Sequence, residues 1–158
     1  MTSQPAVVDT QNFRITRTVH INATPARVWA ALTRDDLITQ WLGSSASLPD
    51  LRVGGEGTFG FDGYGEFPVR IDEYDEPTVF AFTWGTPPAP HAGGEPMRPD
   101  NSTQVRFTLV PDGEATMLSV VESGFAALSR DPATAMEENR QGWTHELDEL
   151  VAYLEASA

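Results

Sequence analysis

Two side chains of opposite charge fall on rows that strand alternation turns inward: Arg17, between Ile15 and Val19, and Glu122, two positions past Val120. A single carboxyl of shifted proton affinity suffices for general acid or base work, and a partly buried Arg–carboxylate pair is another use of the same placement. Strand-end positions reaching solvent, or polar anchors for a ligand, are the other readings of these two residues, and no catalytic residue is assigned. Ser123-Gly124 lacks the Gly two positions before the Ser that a nucleophile elbow needs. Cys is absent, which removes thiol nucleophiles, disulfides and thiolate metal sites together. The three His (His20, His91, His145) share no ligand spacing, and there is no EF-hand loop, so no metal site is expected. Gly55, Gly57 and Gly60 match G-x-G-x-x-G, but Thr58-Phe59-Gly60-Phe61 alternates like a strand. A phosphate cradle needs a helix N-terminus there, so no nucleotide cofactor is expected.

Aromatic side chains carry more information. Trp41, Phe59, Phe61, Phe80, Phe82, Trp84, Phe107 and Trp143 lie on rows that should face one interior. Core packing is one reading of the set. The other is a cavity between a curled sheet and a single helix, lined also by Val69, Ile71, Val120, Met136 and Leu147 with Arg17 and Glu122 as polar members. Burying about 300 Å² of apolar ligand surface is worth roughly 7 kcal/mol before ordering costs, so useful binding needs no reactive residue.

The elements that would position these residues follow from periodicity. Phe13 to Ile21 alternates as a half-buried strand; Thr24-Pro25 reads as an N-cap with Pro in the first helical turn, opening a short helix over Val28, Ala31 and Leu32. Thr33 with Asp36 resembles a capping box for a second short helix carrying Leu37, Ile38, Trp41 and Leu42 and ending near Gly43. A strand series follows: Leu51–Val53, then Thr58–Phe61 into an Asp62-Gly63 hairpin turn, then Phe67, Val69 and Ile71, where Pro68 suggests an edge or a strand start. Val79 to Trp84 is apolar on both faces, which places it centrally. Val105–Leu109 and Thr116–Val120 form a hairpin around Pro111-Asp112-Gly113. Between these runs, residues 85–101 carry five Pro and three Gly and read as a long loop, either a surface excursion or a lid. Asp131-Pro132 repeats the cap signature and opens a helix of about 25 residues, roughly 37 Å long. The expected fold class is therefore α+β, with an antiparallel sheet curled around a long C-terminal helix and two short helices after the first strand.

The chain has 158 residues, the size of one domain; 1–12 is expected as a flexible N-terminal segment and 13–156 as a single domain. Hydrophobic types at 40% and charged types at 21% exclude an extensively disordered chain. All ten basic residues are Arg, against 23 acidic ones, and the net charge of -13 makes phosphate backbones and anionic membranes poor partners. No nucleic acid and no membrane are expected. With no leader pattern and no long apolar run, a cytoplasmic protein is the expectation, monomeric or weakly homodimeric.

Ordered motifs carry a resemblance over about Phe13 to Leu154. They are Ala23-Thr24-Pro25-Ala26-Arg27-Val28-Trp29-Ala30-Ala31-Leu32-Thr33, Gln40-Trp41-Leu42-Gly43, Leu51-Arg52-Val53-Gly54-Gly55, Val79-Phe80-Ala81-Phe82-Thr83-Trp84, Glu122-Ser123-Gly124-Phe125 and Gly142-Trp143. Together they resemble the bacterial relatives of the C-terminal domain of the activator of the Hsp90 ATPase, within the START-like (Bet v 1-like) superfamily. That resemblance implies the helix-grip fold, with a seven-stranded antiparallel sheet. Asp100-Asn101-Ser102-Thr103 and Asp112-Gly113 are similar to segments of the enediyne self-resistance proteins of calicheamicin producers. The inward aromatic set without a catalytic constellation points to capture of a hydrophobic, aromatic small molecule, and the resemblance implies natural-product sequestration or self-resistance as its setting. Its alternatives are a polyketide cyclase- or hydrolase-like enzyme and an Hsp90-activator-like interaction module working through the acidic surface.

Overall fold

A computed structural model describes residues 4–85 and 96–156. Ten of the residues left out, 86–95, make up most of the expected loop, so the lid reading and His91 lie outside the described residues. Eight strands form one antiparallel sheet: β1 (Val7–Asp9), β2 (Arg14–Ile21), β3 (Ser45–Ser47), β4 (Glu56–Phe61), β5 (Gly65–Asp75), β6 (Val79–Gly85), β7 (Ser102–Asp112) and β8 (Ala115–Ser123). Their order is β1-β2-β8-β7-β6-β5-β4-β3. Helices α1 (Pro25–Thr33) and α2 (Asp35–Ile38) follow β2, and α3 (Pro132–Ala156) closes the chain. The helix-grip α+β architecture is as expected.

Both cap signatures do what their chemistry allows. Thr24 Oγ1 accepts from the Arg27 amide at the start of α1, and Asp131 Oδ2 accepts from the Thr134 amide at the start of α3. The long helix presents Met136, Trp143, Leu147, Leu150 and Leu154 to the sheet, all buried. Asp62-Gly63 joins β4 to β5 with Gly63 at φ 84°.

Several local expectations are corrected. The sheet has eight strands rather than seven, because three-residue β1 and β3 extend its edges without any alternating pattern. Leu51–Val53 is not a strand but part of a turn. The Gly55 amide bonds the Arg52 carbonyl, and a Cβ on Gly55 would lie 1.9 Å from the Asp50 carbonyl oxygen, so only Gly closes it. Thr33 makes no capping box: its buried hydroxyl donates to the Trp29 carbonyl, and Arg34 precedes α2. β5 is not an edge; it lies between β4 and β6, and Pro68 is tolerated because the ladder to β6 begins at Val69. Central β6 hides Ala81 beneath an ion pair on the opposite face of the sheet from Phe80 and Phe82, between cross-strand neighbours Glu73 and Arg106. Among the described residues no helix is long and apolar enough to cross a membrane.

Candidate functional site

Glu122 sits on β8 with its side chain fully enclosed. Inward parity put it there, and four groups from three other elements converge on it. Trp143 Nε1 and Asn139 Nδ2 of α3 donate to Oε1 at 2.8 and 3.1 Å. Trp84 Nε1 of β6, Thr103 Oγ1 of β7 and again Asn139 Nδ2 donate to Oε2 at 3.0, 2.5 and 3.1 Å. Three of these groups are obligate donors, so the carboxylate's acceptor positions are taken up by the protein itself. Burial pushes the Glu122 carboxyl up from its ordinary value, against the pull of the hydrogen bonds from Thr103, Trp143, Trp84 and Asn139. Tethered to one carboxylate, the two indoles stack, with centroids 5.8 Å apart and planes 24° from parallel.

Arg17 does not pair with Glu122. Its guanidinium is buried against α3 and the N-terminal segment, donating to the carbonyls of Gln4, Trp143 and Thr144 and to the Asp148 carboxylate. The fork therefore ties β2 to the middle of the helix. A Lys ammonium cannot span these acceptors, so Arg17→Lys is expected to cost about 2 kcal/mol of stability. Urea unfolding checks it, and an unchanged midpoint would show the fork to be dispensable.

A buried aromatic and aliphatic cluster lies directly beneath α3. Phe59 meets Phe82 edge-on at 5.4 Å, and Phe107 meets the Trp143 ring at 5.8 Å. Val69, Ile71, Val120, Met136 and Leu147 are buried in the same cluster. These residues, with Arg17 and Glu122, are not among those that line the cleft described next. Interlocking rings pack this part of the core between helix and sheet, and the described opening lies at the end of the grip.

That opening is a cleft of about 710 Å³. Of the residues singled out from the sequence, Trp41, Phe61, Trp84 and Trp143 line it. Trp41 is pinned by its Nε1 donating to the Ala31 carbonyl of α1 at 2.9 Å. The 39–44 segment is fixed at Gly43, whose φ is 68° and where a Cβ would lie 2.5 Å from the Gly60 carbonyl. Phe61 and the partly exposed Tyr64 come from the β4–β5 hairpin.

The helix wall of the cleft was not read from the sequence. Ala135, Asn139, Gly142, Glu146 and Glu149 form it, at steps of three and four along α3. This row runs beside the Met136–Trp143–Leu147 core stripe, but it is small and polar, so hydrophobic periodicity passes over it. Glu138 and His145 flank it. Glu138 is paired with Arg130 at 2.7 Å, and His145 lies on the face away from the core stripe but inside the cleft lining. Among the described residues no group of His and carboxylates has the arrangement of a metal site.

Comparison with known proteins agrees with this architecture. No curated protein matches the sequence. DynU16, from the dynemicin biosynthetic locus, is 24% identical with a TM-score of 0.70 over 91% of this chain and 48% of its own. The Aha1 dimer of Colwellia psychrerythraea is 20% identical, with a TM-score of 0.72 over 90% of this chain and 96% of that one. CalU16 of Micromonospora echinospora is 18% identical, with a TM-score of 0.67 over 98% and 87%. At these identities the likeness is one of fold. The profile described as activator of Hsp90 ATPase homolog 1-like protein matches residues 22–155, all but the ends of the chain, and the protein belongs to that family.

Proposed function

We propose that the protein is a small-molecule binding protein whose site is the cleft at the mouth of the grip, taking a flat, hydrophobic, aromatic ligand. The observation that carries this reading is an opening of about 710 Å³, within the usual range for ligand pockets, walled by Trp41, Phe61, Trp84 and Trp143. Tethering by Glu122 and Ala31 supports it further, since indoles held in place lose little freedom when a ligand docks. Sequestration of a natural product is the setting we favour, because the fold is shared with DynU16 from a biosynthetic locus. Enclosure of Glu122 argues for capture rather than turnover, as its carboxylate does not border the cleft.

Titration with the neutral probe N-phenyl-1-naphthylamine tests the reading. We expect saturable quenching of Trp emission with a Kd on the order of tens of micromolar, since the gross gain from about 300 Å² of burial is reduced by ordering costs. Absence of saturable binding by calorimetry and fluorescence alike would overturn it.

A further inference from the structure

The charges around the cleft are unevenly matched. Asp62 on the β4–β5 turn and Glu138, Glu146 and Glu149 on α3 line it, against Arg130 and His145. Arg130 is engaged with Glu138, and among the described residues no ion pair involves Asp62, Glu146 or Glu149. Glu146 is half-buried, one helical turn from both Gly142 and Glu149, beside Trp143. Burial raises its carboxyl above the ordinary value, with His145 opposing and Glu149 adding to the rise.

A neutral occupant of the cleft would strip more water from these carboxylates and offer no countercharge, which is costly. A cation supplies the missing countercharge and removes that cost. We propose that the cleft selects an aromatic molecule bearing a positively charged nitrogen, with the ring system against Trp84, Trp143 and Phe61 and the cation seated at Glu146 and Glu149. This rests on the ligand-binding reading above and specifies its ligand class.

Acridine and 9-aminoacridine share one tricycle, the first neutral and the second cationic at neutral pH, and their binding can be compared by calorimetry. We expect 9-aminoacridine to bind about tenfold more tightly, the worth of one charge-assisted contact. The advantage should disappear in E146Q/E149Q and shrink in D62N, two variants that swap partly or fully exposed carboxylates for amides and leave the helical circular dichroism unchanged. Equal binding of both probes would overturn the charge preference while leaving the ligand-binding reading intact. Binding of neither, together with no binding of N-phenyl-1-naphthylamine, would overturn both. A cationic preference that survives E146Q/E149Q would place the cation elsewhere on the acidic surface and also overturn the proposal.

Discussion

Glu122→Leu is expected to lower the unfolding free energy by about 3 kcal/mol or more. The Leu is similar in volume but accepts nothing, so the Trp143 indole N–H and the Thr103 hydroxyl, both buried, lose their acceptor, at about 1–3 kcal/mol each. Trp84 keeps a second acceptor in Thr103 Oγ1 at 3.0 Å, and Asn139 borders the cleft where water reaches, so these two soften the loss. A drop of 3 kcal/mol corresponds to roughly 6–12 °C in Tm for a chain of this size, a large share of the 5–15 kcal/mol typical of a domain. Glu122→Gln should be milder, near 2 kcal/mol, because one amide oxygen still accepts while the amide nitrogen faces donors wherever it is turned.

The pH dependence separates charge from packing. Because burial raises the folded carboxyl above its ordinary value of 4.5, the folded state keeps a proton that the unfolded chain has already released. The contribution of this site is complete below that value and is lost as the pH climbs through the raised folded one. The stability gap between wild type and Glu122→Gln should therefore be widest below 4.5 and narrow as the pH rises. Thermal melts at several pH values read both effects. A Glu122→Leu protein as stable as wild type would mean that the indoles are held by packing alone, and a gap independent of pH would mean that the carboxyl titrates normally.

The part of this arrangement that could be read from sequence is the part encoded locally. Thr24-Pro25 and Asp131-Pro132 announce their helices because the cap is made within three residues. Asp62-Gly63 announces its hairpin for the same reason. Alternation alone also turns Glu122 inward. What it faces was not legible: Trp84 lies 38 residues away in the chain and Trp143 lies 21 away, on separate elements joined only by the curl of the sheet around α3. The same limit explains Arg17, whose inward parity was evident but whose acceptors are three backbone carbonyls and the Asp148 carboxylate 131 residues away. The alternating segment Leu51-Arg52-Val53 misled because its backbone is committed to the turn that Gly54-Gly55 closes. Strands of three residues such as β1 and β3 are too short to show a period of two.

Gly142 links stability and binding with opposite signs. It lies in the interior of α3, where Gly costs about 1 kcal/mol relative to Ala, and a Cβ built on it meets nothing within 4 Å. No steric reason within the fold keeps a side chain out. The empty space it faces belongs to the cleft, between the small Ala135 and the Glu146 carboxylate along the same row. Gly142→Ala is therefore expected to raise Tm by about 2–4 °C with little loss of N-phenyl-1-naphthylamine binding. Gly142→Leu should keep the gain in helix stability and weaken the probe by at least about tenfold, because the added isobutyl group occupies the volume next to Trp143 that the ring system needs. A fold made more robust by a substitution that closes it to ligand has its site at that residue, whereas undiminished probe affinity in Gly142→Leu would move the site away from this wall of the cleft.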